Sequence, residues 1–388
     1  LVLALGLVWW AGNVVAEKEG EPAPPLTLKV AETSLGKIDG MVENSLVVSG
    51  DLRHAVFVAD RNGKKVVVID GKDQKPYDAV SGIVFSPDAK RVAYAATRDK
   101  KTVAVVDGQE GKEYDGVNAL VFSANSKRFA YAANQGKEWA AVIDGAEMKV
   151  FETVGGLVFS PDSKRYAYVA TFEVKNAAPP PPPAPPAPPA AAPPAPAVPA
   201  DPEGPPAPPV PPAPPEPPAK KGVVVVDGVA GAQYDSIMPG TLVFSADSKH
   251  VAYAVVRGGK QLFVVDGEEF KECDAVSGFV FSDNSKHFAY SGTREGKSFV
   301  AVDGAEERAR EATGRPVFSA DSQHLAYSAK QNGKNLVVLD GTEAGQYDDV
   351  KGLAFSPDST QMCYVAKRGE RWTLITSSAT PLKPAAPV

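Results

Sequence analysis

Val158-Phe159-Ser160-Pro161-Asp162-Ser163-Lys164-Arg165-Tyr166-Ala167-Tyr168 is the stretch whose reading decides the fold. A short apolar strand ends in Phe-Ser, Pro161 to Lys164 make a turn, and a second strand alternates aromatic residues with alanine. The Phe-Ser pair stands 37 residues apart at Phe85, Phe122 and Phe159, and the same spacing returns at Phe244, Phe281, Phe318 and Phe355. Val48-Ser49 lies one period ahead of Phe85-Ser86, which makes eight copies. An internal period of this length governs the fold of the whole chain.

Each copy continues in the same way. A polar loop follows the second strand, a third strand such as Thr102 to Val106 ends at Asp107-Gly108, and a weaker fourth strand spans Lys112 to Val117. Val66 to Ile69 and Val223 to Val226 are apolar on both faces, so both faces need cover. A layered α/β fold would supply it with helices, but no segment has a 3.6-residue apolar period. Stacked four-stranded sheets supply it directly, so the sequence predicts an all-β fold, a β-propeller of four-stranded blades. Eight first strands predict eight blades, or seven if the degenerate first unit does not pack as one.

The period breaks once. Phe159 and Phe244 are 85 residues apart, and most of the excess is Ala177 to Ala219, a 43-residue stretch holding 24 of the 36 prolines. Such a stretch lacks backbone donors and apolar bulk, so it is expected to be exposed polyproline II or disordered chain. It falls between the second and third strands of the fourth unit, inside a hairpin whose strands must return to each other. A single propeller spanning 35–376, with 177–219 as an arm, is preferred over two half-modules joined by a spacer. The spacer arrangement divides one sheet between two bodies and leaves open edges.

Leu1 to Ala16 is an apolar run followed by the charged Glu17 to Glu21. It is short for a bilayer span and suits cleavage after Ala16, so 1–16 is read as a signal peptide, with an uncleaved anchor as the alternative. It has no initiator methionine and no basic stretch ahead of it, and is read as truncated at its start. Residues 17–34 read as a polar, proline-containing linker and 377–388 as a flexible tail. Export places the chain in a periplasm or outside the cell, with no integral membrane span after cleavage. The net charge of -6 gives no basic footprint for nucleic acid. Cys273 and Cys363, in different repeats, are expected to be free thiols, Cys363 in a small buried slot and Cys273 where other copies carry tyrosine.

The unit quoted first, together with Phe355-Ser356-Pro357-Asp358-Ser359, resembles the WD-repeat-like propeller repeats of the TolB type. The resemblance covers roughly residues 46–376 without the insert, and departs from the family in Asp-Gly-x-Glu-Gly-Lys at Asp107 to Lys112. It implies relatives among periplasmic scaffolds and the non-catalytic propellers attached to serine peptidases. It also implies an innermost first strand and a ring closed by both chain ends. Leu35 to Met41 would then provide the outer strand of the last unit.

The polar columns read as architecture. His54, Arg91, Arg128, Arg165, His250, His287 and His324 open the second strands, with Gln361 in the last copy. Equivalent positions on separate blades point around a ring, so no metal site is expected. A basic rim for an acidic partner is the functional alternative, with Asp88, Asp162, Asp247, Asp321 and Asp358 expected to neutralise much of it. Those aspartates, like Asp70, Asp107, Asp144, Asp227, Asp266, Asp303 and Asp340 before glycine, suit turns. Tyr94, Tyr131, Tyr168, Tyr253, Tyr290, Tyr327 and Tyr364, with Phe57, suit packing between blades. Trp139 and Trp372 begin third strands and are also assigned to packing.

No nucleophile motif, phosphate loop or dinucleotide fingerprint is present, so no catalytic residue and no cofactor is predicted. The expected function is an exported, non-enzymatic scaffold that binds a protein or peptide at the cell envelope, with a cell-wall polymer as a second candidate partner. The alternatives are a structural envelope protein with a proline-rich stalk and a propeller lyase or hydrolase with a central-channel site. The preferred surface is the face carrying the loops between second and third strands.

Overall fold

The computed structural model describes residues 38–174 and 220–378, and they contain no helix. Eight antiparallel sheets follow one another along the chain as the blades of an eight-bladed β-propeller. Blade 2 shows the pattern in full: Ala79–Phe85, Val92–Arg98, Lys101–Val106 and Gln109–Tyr114, paired in that order. The expected signal peptide, the linker, the 177–219 insert and nearly all of the tail lie outside the described residues.

Turn chemistry sets the register. Asp107 and Gly108 sit at φ 51° and 78° between the paired Val106 and Gln109, a two-residue hairpin whose central residues both need positive φ. Aspartate tolerates that region because its short side chain bonds locally, and glycine because it has no Cβ. Asn62-Gly63 makes the matching turn between the second and third strands of blade 1. In blade 4 that turn is replaced by residues 174–219, yet Glu173 still pairs with Lys220 and the sheet is whole. In blades 5 and 7 the first strand is split into Ser236–Ile237 with Val243–Phe244, and Ala312–Thr313 with Val317–Phe318. Pro239 and Pro316 lie in the gaps and have no N–H to give the ladder.

In blades 1 to 7 the second and third strands are buried on both faces, as their apolar runs require. The tyrosine column packs between blades. Tyr94 of blade 2 meets Tyr77 of blade 1 edge-on at 6.3 Å, and Tyr131 meets Tyr114 at 6.2 Å.

The two chain ends depart from expectation. Met41 bridges Ala59 and so belongs to the inner edge of blade 1, not to the last blade. Closure by Leu35 to Met41 is therefore corrected: the register of blade 1 claims Met41, and residues up to 37 are outside the described part. Blade 8 has three strands, Asp349–Phe355, Gln361–Arg368 and Arg371–Ser378, and among the described residues nothing pairs with the outer edge of the last. Among the described residues no strand pair, hydrogen bond, ion pair or core cluster joins blade 8 to blade 1. Leu52 shows the gap: it is 78% exposed, whereas Ser126, Ser163 and Ser248 at the same turn position are buried under a neighbouring blade.

Candidate functional site

One repeated clasp holds the turn face of blades 1 to 7 together. The Asp-Gly hairpin brings its aspartate beside the start of the second strand, where one carboxylate oxygen accepts a backbone N–H and the other the basic side chain. In blade 3, Asp144 Oδ1 takes Phe129 N at 3.0 Å and Oδ2 takes Arg128 Nε at 2.8 Å. Asp70, Asp107, Asp227, Asp266, Asp303 and Asp340 repeat the pair. The Arg and His column is thus paired by these hairpin aspartates, while in the Asp88 column Asp162 and Asp247 lie near the adjoining Lys164 and Lys249 at 3.8 and 3.6 Å. Those aspartates fold back on their own turns, as Asp88 does on Ser86 Oγ at 2.6 Å. That bond, with the N–H of Lys90, holds the Asp88 carboxyl below the usual range.

The clasp also straps blade to blade, but not uniformly. Arg165 Nη1 reaches Ser248 O at 3.2 Å and Lys249 O at 2.6 Å on blade 5, and its guanidinium lies 5.4 Å over the Phe244 ring. Arg91 and Arg128 do the same onto blades 3 and 4, 5.1 Å over Phe122 and Phe159. His250 replaces arginine in blade 5. Its Nδ1 sits 2.6 Å from Asp266 Oδ2, and its ring stays 6.4 Å from Phe281 without reaching the next turn. Beside it lies a cavity of 780 Å³ between blades 5 and 6, lined by Phe270, Phe281, Phe288, Glu268 and His287. Glu268 and Phe270 are not repeat residues: other copies carry Lys72, Gln109 or Val229, and Gln74, Gly111 or Gly231.

A second cavity of 570 Å³ flanks the other side of blade 5 and shares Lys249 and Asp266 with the first. It opens because Ala230 stands where blades 2 and 3 carry Glu110 and Glu147, which accept the hydroxyls of Tyr77 and Tyr114 at 2.8 and 2.6 Å. Phe151 matches the loss, since it takes the tyrosine's place and needs no acceptor. Its neighbour Tyr168 is left with a buried hydroxyl that has no partner, and burial pushes its pKa up to about 12. In blade 8 the equivalent Tyr364 hydroxyl bonds Tyr347 at 3.0 Å. Tyr168→Phe should therefore raise stability by about 1 kcal/mol while Tyr364→Phe lowers it by a similar amount, measured by urea unfolding. Equal effects of the two would rule out the orphaned hydroxyl.

The other anomaly is the free edge of blade 8. Beside it, on the face turned away from blade 7, Trp372 and Leu374 are 44% and 65% exposed, where Val67, Val300 and Val337 at the Leu374 position are buried under the next blade. Lys351 and Lys367 stand 5.0 and 5.9 Å from the Trp372 ring, so the edge is apolar and cationic together.

Of the columns read from sequence, the tyrosines are buried between blades and the turn aspartates serve turns. Both cysteines are free, but Cys363 is only half-buried, because among the described residues no further blade covers the face on which Ala93, Ala167 and Ala289 are buried in other blades. Among the described residues no three His, Cys, Asp or Glu side chains converge as metal ligands. Sequence reasoning missed both cavities by treating each column as uniform; histidine for arginine, and Ala230 with Phe151, were the available signals. Both cavities lie on the face opposite the preferred one, since they are built from the turns after first and third strands.

No family model and no curated protein matches this sequence. Solved structures do. The β-propeller domain of the Trilobed protease from Pyrococcus furiosus is 13% identical over 78% of this chain and 96% of that one, with a TM-score of 0.35. TolB from Acinetobacter baumannii is 12% identical over 82% and 65%, with a TM-score of 0.26. An oligogalacturonate lyase in complex with manganese is 11% identical over 86% and 98%, with a TM-score of 0.32. The expectation of a non-enzyme is corrected here: the matched propellers include a lyase and peptidases, so this architecture does not separate enzymes from non-enzymes. No helix among the described residues is long and apolar enough to cross a membrane. The β-propeller fold rests on the chain's own eight antiparallel sheets, and nothing narrower is established.

Proposed function

We propose that the chain is a binding scaffold outside the cytoplasm that takes up an extended protein or peptide segment as the missing fourth strand of blade 8. The observation that carries this reading is the open edge of the strand Arg371–Ser378, with Trp372 and Leu374 exposed beside it on the face turned away from blade 7. An edge of this length is a template for strand addition: its free backbone groups give affinity, and side-chain contacts on either face give selectivity. Proteins blunt such edges with an inserted proline, a bulge or a covering loop, and none is present among the described residues. The cations around Trp372 favour a segment that alternates apolar and acidic residues. Export rests on the Leu1–Ala16 run, and the single-ring organisation with 177–219 as an arm towards a second protein or cell-wall material belongs to the same proposal.

The test replaces Leu374 with photoreactive p-benzoylphenylalanine in cells, with Val243 as the exposed control position. The expected result is a cross-link to an extended segment of another protein at position 374 and none at 243. A cross-link to residues 17–34 of the same chain would mean that the ring closes on itself, and would overturn the reading.

A further inference from the structure

We propose that the cavity between blades 5 and 6 is a receptor for a guanidinium group, specifically an arginine side chain presented by a protein or peptide partner. This site lies on the turn face and does not depend on the blade 8 edge.

The molecule itself shows what fits. At three successive seams an arginine of the preceding blade crosses to the equivalent elements, stacked over a phenylalanine and donating to two turn carbonyls. At the fourth seam every receiving element is present. Phe281 stands where Phe122, Phe159 and Phe244 receive guanidinium faces. Ser285 and Lys286 occupy the turn positions of Ser248 and Lys249, whose carbonyls accept Arg165. Asn284 N and Asp247 N bond serine hydroxyls as in the other seams, so the turns are in the same geometry. Only the donor is missing. His250 is anchored on Asp266 and is too short to cross, and among the described residues no other side chain donates to the Ser285 or Lys286 carbonyl.

Two substitutions unique to this blade complete a cationic site. Glu268 brings a carboxylate that makes no ion pair or side-chain hydrogen bond among the described residues, and Phe270, packed 5.1 Å from Phe288, adds an aromatic wall. A planar cation gains from aromatic faces and carboxylate acceptors together, and a bidentate fork matches paired acceptors better than an ammonium does. Lys286 does not oppose this. Lys127, Lys164 and Lys249 occupy its position at the three arginine seams, where their carbonyls accept the guanidinium, and the Lys249 ammonium, which also borders this cavity, lies 3.6 Å from Asp247 Oδ2.

The test titrates the full chain with a Gly/Ser peptide carrying one arginine, the same peptide with citrulline, and free arginine amide, followed by calorimetry. The arginine peptide should bind saturably and the citrulline peptide at least roughly ten-fold more weakly, since citrulline keeps the shape and loses the charge. Binding of the peptide but not of arginine amide assigns the source to a polypeptide; equal binding of the two would assign it to a free metabolite and overturn the partner. His250→Arg fills the site from within and should abolish binding while raising thermal stability, because the same residue fits three other seams. Should that variant not fold, Glu268→Gln takes its place and should weaken binding several-fold. Absence of saturable binding, equal binding of citrulline, or unchanged binding in His250→Arg would overturn the proposal.

Discussion

Asp144→Ala should lower the stability of the chain by about 2–3 kcal/mol, well beyond what an exposed ion pair contributes. Three losses coincide. The backbone N–H of buried Phe129 loses its acceptor at 3.0 Å, Arg128 loses the carboxylate that aims it at blade 4, and alanine must hold φ 51° without a side chain that bonds locally. An asparagine at this position would keep an acceptor and the tolerance for positive φ, so Asp144→Asn should cost only about 1 kcal/mol. Urea unfolding of the two variants decides the matter. If they are equally destabilised, the charge of the pair is what counts and the turn is not.

The second large effect comes from a cross-strand pair. Gly292 faces Phe299 in blade 6, where other blades pair Ala96 with Val103, Ala133 with Ala140, and Ala329 with Leu336. A Cβ on Gly292 would lie 2.5 Å from Phe299 Cζ, and the ring is buried and cannot step aside. Gly292→Ala should therefore cost about 2 kcal/mol by overpacking. Phe299→Leu alone should cost about 1 kcal/mol for the lost volume, yet the double variant recreates the Ala329–Leu336 pair and should recover most of the loss. A double-mutant cycle that comes out additive would show that the two positions do not compete for the same space.

The fold was legible in the sequence because its information is redundant. Phe85-Ser86 through Phe355-Ser356 repeat one turn, so the strand order, the hairpin aspartates and the buried tyrosines follow from any single copy. The departures were harder to see because they are physical rather than statistical. That Arg165 crosses to the next blade while His250 does not depends on side-chain reach, which a column of basic letters hides. That Asp107 rather than Asp88 pairs with Arg91 depends on a hairpin that folds the third strand back along the second. The placement of Met41 turned on register at a degenerate copy, where Val48 replaces phenylalanine and the motif gives the least guidance.

Among the described residues nothing joins blade 8 to blade 1, which gives that part of the ring two ends. A sealed ring must break two interfaces before any blade comes free, whereas among the described residues a terminal blade is held by one. Its opening free energy is then its own stability plus a single neighbour term, so unfolding should advance from the ends inward like fraying in a linear array. The strapped middle, where Arg91, Arg128 and Arg165 tie four consecutive blades, would be the last part to let go. A ligand that fills the blade 8 edge would then act at a distance as well as locally, since capping one end of such an array slows the loss of every unit behind it.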